Sequence, residues 1–217
     1  MELLTNILLL LHVIAGSTAL LSGLIPMFAK KGSRLHVIGG KVYVWAMYGV
    51  VFTALPVALI RNSVFLGTLG VFVGYLIYTG QRTAKRRSVV PSSTMDKAIM
   101  WTTMVVSVVM LATAIYFAIG PKWGTGIVLA VFGSICLLAA VEDYRATRLP
   151  EGQPERPWLL LHLSRFGGAY IATFTAFAVT NVQFMPPLLV WLTPTLIGTM
   201  IISRTSRYWR KKLTKSL

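Results

Sequence analysis

The sequence predicts an all-α integral membrane protein, a seven-helix bundle with its N-terminus outside and its C-terminus in the cytoplasm. Three observations predict it. Only 12% of the 217 residues are charged while 55% are apolar, and the mean hydropathy is +0.70. A soluble domain carries about 25% charged residues, so this chain cannot cover a water-facing surface, and its abundant apolar side chains exclude disorder. Second, seven apolar runs approach the ~20 residues that a helix needs to cross a hydrocarbon core. Third, Lys and Arg fall almost entirely in the breaks between those runs.

Taken in order, the first run is Leu3–Ala29, closed by Lys30-Lys31-Gly32-Ser33-Arg34. Its opening, Met1-Glu2-Leu3-Leu4, lacks the positive start of a signal peptide, and the basic cluster follows the run, so a retained helix is expected. The second run, Leu35–Ile60, stops at Arg61-Asn62. The third, Ser63–Gln81, carries Gly67, Gly70 and Gly74 on one face, a surface for helix packing or for a homodimer. Ser93 followed by Asp96 reads as a capping box opening the fourth, Ala98–Ile119, which ends at Gly120-Pro121-Lys122.

The fifth run, Thr125–Val141, is short and contains Cys136, a lone thiol that reads as a small core residue. The sixth is Trp158–Thr180. The seventh, Pro186–Ser203, holds Pro186, Pro187 and Pro194, which predict a kinked or late-starting helix. Helices rather than strands are required because an open chain in lipid must satisfy its backbone groups internally. Residues 1–203 thus read as one transmembrane domain and residues 204–217 as a basic cytoplasmic tail.

Charge sets the orientation. With the N-terminus outside, Arg61 and Lys122 are the only members of the 21 Lys and Arg on the outer side; Arg156 and Lys215 count among the cytoplasmic ones. The net charge of +15 could suggest nucleic acid, but a topology signal explains its distribution and no nucleic-acid partner is expected. The tail, with Tyr208 and Trp209 among its basic residues, reads as a positive-inside anchor or as a patch for anionic lipid headgroups.

No motif of a soluble enzyme is present. The candidates are polar groups held at membrane depth, which are costly there and functional by default. His12, Gly16, Ala19 and Gly23 share a face of the first helix, where His12 either bonds across a helix interface or serves as a ligand or proton relay. His36, Gly40, Tyr43 and Met47 line the second helix beside Lys41, whose side chain can snorkel toward the helix N-terminus. The sixth helix carries His162, Arg165 and Ala169 on one face, with Tyr170 following. Arg165 lies about 14 Å along the axis beyond Arg156, so it should face the bundle, and Glu142 and Asp143 are its nearest carboxylates in sequence.

His36 and His162 both fall near the cytoplasmic ends of their helices, whereas His12 lies deeper, roughly 25 Å from the end of its own. Two imidazoles at one depth suit the axial ligation of a haem b, with Gly39, Gly40, Gly167 and Gly168 admitting the macrocycle and Arg165 pairing with a propionate. Neutral imidazoles equally suit a metal ion, with a third ligand from loop carboxylates.

The stretches Leu11-His12-Val-Ile-Ala-Gly16 through Gly23 and Leu35-His36-Val-Ile-Gly-Gly40-Lys-Val-Tyr43 resemble a group of prokaryotic multi-pass membrane proteins known as domain of unknown function 2306. His162, Arg165, Gly168 and Tyr170 resemble its later segment. This resemblance implies a bacterial plasma-membrane protein in which His12, His36 and His162 belong to the design, and it implies no activity. The second helix departs from the pattern at Gly40-Lys41, where the family is more basic. Three functions remain open: a haem-binding or redox protein exchanging electrons with a quinone or partner; a small-solute or proton-coupled transporter using Arg165 and His12; and a non-catalytic scaffold subunit of a membrane complex.

Overall fold

Seven α-helices make up the computed structural model, which describes residues 2–149 and 157–214, and no strand occurs among the described residues. Arg156 and Lys215, which the sequence counts among the expected cytoplasmic cations, lie outside the described residues. The helices are α1 (Glu2–Phe28), α2 (Arg34–Ile60), α3 (Val64–Arg86), α4 (Thr94–Ala118), α5 (Trp123–Ala146), α6 (Trp158–Asn181) and α7 (Pro187–Thr214). Six of them, α1 to α5 and α7, are long and apolar enough to cross a membrane. The protein is therefore an all-helical, multi-pass membrane protein. The sixth helix is not among the six, because His162 and Arg165 interrupt its apolar run.

Side-chain caps mark the starts of α2 and α4. Ser33 accepts from the backbone N–H of His36 at the start of α2. At α4 the expected capping box is present: Ser93 Oγ accepts from Asp96 N, and the Asp96 carboxylate accepts from Ser93 N. This box starts α4 at Thr94, four residues before the apolar run suggested. The third and fifth helices outlast their apolar runs by five residues each, ending at Arg86 and Ala146. The proline-rich seventh starts at Pro187, retains Pro194 inside, and continues through the basic segment to Thr214.

The chain forms two compact units, Met1–Ile77 and Tyr78–Leu217, with α3 contributing to both. In the first, α1 and α2 form an antiparallel hairpin. Gly39 permits it, since a Cβ there would lie 2.7 Å from Ile25 Cγ2. The glycine face of α3 packs against α2, where Gly67, Gly70 and Gly74 oppose Ala58, Leu55 and Val51. Its small residues thus serve packing within the chain. In the second unit α4 pairs with α5 and α6 with α7. Gly167 admits Ile202 of α7, and Phe132 of α5 meets Trp191 of α7 edge-on at 6.2 Å. Cys136 is buried, as a small core residue should be.

Candidate functional site: a buried arginine–aspartate cluster

The C-terminal ends of α3 and α5 and the first two turns of α6 bring three charged side chains together inside the second unit. Asp143 lies at the centre, 1% exposed. Its Oδ2 accepts from Arg82 Nη2 at 3.2 Å, and its Oδ1 accepts from Arg165 Nη2 at 2.9 Å. Arg82 also donates to the carbonyl of Val89 at 3.2 Å, and Arg165 to the carbonyl of Ala139 at 2.8 Å. Gly80 makes the approach of α3 to α6 feasible, because a Cβ there would already sit 3.2 Å from Arg165 Cβ.

A fourth charge stands at the rim. Glu142 Oε2 lies 3.4 Å from Arg165 Nη2, with 40% of its side chain exposed. That nitrogen carries two protons, and Ala139 and Asp143 are the two closer acceptors. The contact to Glu142 is therefore mainly coulombic. Two buried guanidiniums on one buried carboxylate leave one positive charge in excess, which is expensive in a low-dielectric interior, and Glu142 compensates it from the edge. The Nε of Arg82 is also enclosed without a hydrogen-bond partner among the described residues.

Polar side chains continue from this cluster into the unit. Thr79, Thr83, Thr103 and Ser107 are fully or almost fully buried. Thr83, Thr103 and Ser107 donate to carbonyls of their own helices, to Thr79, Ile99 and Thr103.

A second cluster lies one turn along α3. Asp96 accepts from Tyr78 Oη at 2.6 Å, from Arg86, and from the backbone N–H groups of Ser92 and Ser93. Arg82 and Arg86 thus hold different aspartates, one on α5 and one on α4.

The residues singled out from the sequence occupy varied places. Arg165 is buried and meets both carboxylates named for it. The ring of His162 is half-buried, with Nδ1 3.4 Å from the carbonyl of Gly80 and Phe166 edge-on at 4.8 Å. His36 belongs to the first unit, where Nδ1 donates to the carbonyl of Pro26 at 3.0 Å. Lys31 donates to the same carbonyl and to Met27, so the two side chains together cap the end of α1. His12 is bonded through Nδ1 to Thr53 Oγ1 at 3.0 Å, joining α1 to α2. Thr53 donates its single proton to backbone carbonyls of α2, which makes His12 Nδ1 the donor. Tyr43 is buried and Tyr170 half-buried. Of the glycines expected to admit a macrocycle, Gly39 faces Ile25 and Pro26, and Gly167 faces Ile202. Among the described residues no three His, Cys, Asp or Glu converge as a metal site.

Sequence reasoning missed Arg82, Asp96 and Tyr78. The apolar run ends at Gln81, so hydropathy alone leaves Arg82 among the cations at the cytoplasmic helix edge. The signal was present, since Tyr75, Thr79, Arg82 and Arg86 continue at helical spacing beyond that point.

No protein-family model, curated protein or solved structure matches this chain.

Proposed function

We propose that this multi-pass protein is a seven-span carrier of the plasma membrane, N-terminus outside, that couples the movement of a small anionic solute to a proton. One observation carries the reading: a single guanidinium, Arg165, is shared between an enclosed carboxylate, Asp143, and a half-exposed one, Glu142. The positive-inside distribution of Lys and Arg supports this orientation, and with it a position of the cluster near the cytoplasmic face.

The chemistry follows from the charge count. With Glu142 ionised the four groups are neutral together. A proton on Glu142 removes its hold on Arg165 and leaves an excess positive charge at a half-open rim. A carboxylate or phosphate from solution then replaces it, since guanidinium pairs well with either. Loss of the proton restores the original pair and expels the anion. Arg82 and Asp143 keep Arg165 in position throughout. His12, bonded to Thr53 in the other unit, carries no step.

The test is solid-supported membrane electrophysiology on proteoliposomes, with succinate, phosphate and glutamate as probes. A current that follows the proton gradient, lost in Arg165→Lys and freed from the gradient in Glu142→Gln, supports the reading. Silence toward all three anions defeats it.

A further inference from the structure

We propose that the groove between α1 and α2 holds an anionic phospholipid, with its phosphate on Lys41 and an acyl chain along Trp45. The groove has a volume of about 480 Å³ and is lined by Ala15 and Thr18 of α1 and by Lys41, Val42, Trp45 and Ala46 of α2. All six residues belong to the first unit, and the site is independent of the carrier reading.

The chemistry along the groove is graded. Lys41 lies seven residues into α2, about 10 Å along the axis, and its stem leans toward Arg34 at the helix start. The exposed Lys30, Lys31 and Arg34 stand at that end, at headgroup level. Trp45, Tyr48 and Phe52 continue the stripe away from Lys41, with ring centroids 6.0 Å and 6.5 Å apart in succession. Trp45 and Phe52 are each 72% exposed. The result is a cation followed by an apolar track, which matches a charged headgroup followed by an acyl chain.

Charge complementarity selects the occupant. Glu2, at the far end of α1, is the sole acidic residue among residues 1–77. Asp96 and Asp143 are enclosed. A second copy of this chain brings net charge +15, which disfavours its approach to a cationic groove. The first unit therefore supplies no counter-charge beside Lys41, and a lipid phosphate is an anion that a membrane offers there.

Native mass spectrometry of the full chain, released from nanodiscs of phosphatidylglycerol mixed with phosphatidylcholine, tests the proposal. Wild type and Lys41→Arg should retain phosphatidylglycerol about fivefold over Lys41→Gln, the ratio expected for one basic residue near an anionic surface. Thr18→Trp, at an exposed position, should fill the groove and reduce retention of both lipids. The proposal is overturned if Lys41→Gln keeps the wild-type preference. It is equally overturned if the preference disappears only in Lys211→Gln with Lys212→Gln, which would assign it to the C-terminal segment. A change of oligomeric state in Thr18→Trp would make a second copy the occupant and also overturn it.

Discussion

Arg82 and Arg165, from different helices, grip opposite oxygens of one carboxylate: Arg82 binds Oδ2 of Asp143 at 3.2 Å and Arg165 binds Oδ1 at 2.9 Å. Through that carboxylate the ends of α3 and α5 and the start of α6 become one electrostatic unit. Its stability depends on charges whose desolvation is not repaid if any one is lost.

Asp143→Asn should accordingly be severe. It leaves two guanidiniums enclosed without their shared counter-ion, a change that costs about 3–5 kcal/mol in buried ion pairs. Thermal unfolding in detergent checks this, and a melting temperature equal to wild type would show that the cluster does not hold the helices together.

Glu142→Gln should be mild by the same measurement, below about 1 kcal/mol, because a half-exposed pair is screened. The contrast between neighbouring residues on α5 separates structural from functional charge. A loss as large as that of Asp143→Asn would make Glu142 part of the scaffold.

The start of α4 offers a graded test. Ser93→Ala removes one cap hydrogen bond and should cost about 1 kcal/mol. Asp96→Ala strips the acceptor from Tyr78, Arg86 and two backbone N–H groups, so its cost should exceed that of Ser93→Ala. Urea or SDS titration of folded protein orders the two.

In the first unit, Thr53→Val removes the acceptor of His12. Interhelical hydrogen bonds in membrane proteins contribute about 0.6 kcal/mol on average, with a maximum near 1.7. The variant should lose stability within that range, as should His12→Leu, and the double variant should cost little more than either. Additive losses would show that the two side chains act apart.

Much of this arrangement can be read from the chain. The apolar runs place all seven helices, because the ~20-residue span and the demand for internal backbone hydrogen bonds leave few alternatives. Ser93 and Asp96 mark a helix start whose box forms as expected, and the depth of Arg165 points to Glu142 and Asp143. What hydropathy hides is the polar continuation of a helix. It ends α3 at Gln81, and so Arg82 looks like a helix-edge cation serving topology, although its side chain is enclosed. Asp96 is similarly legible as a cap, while its role as acceptor for Tyr78 and Arg86 depends on packing between helices. His36 shows the converse: its spacing suggests a ligand, and its position at the end of α1 also gives it a capping task that no pattern within α2 reveals.

The most direct measurement is the thermal stabilisation of purified protein by succinate or phosphate in neutral buffer, for wild type and Glu142→Gln. If the charge of Glu142 is what keeps an anion from Arg165, beside Asp143 and Arg82, Glu142→Gln gains stability from the anion and wild type does not. Equal responses of the two proteins would contradict the account.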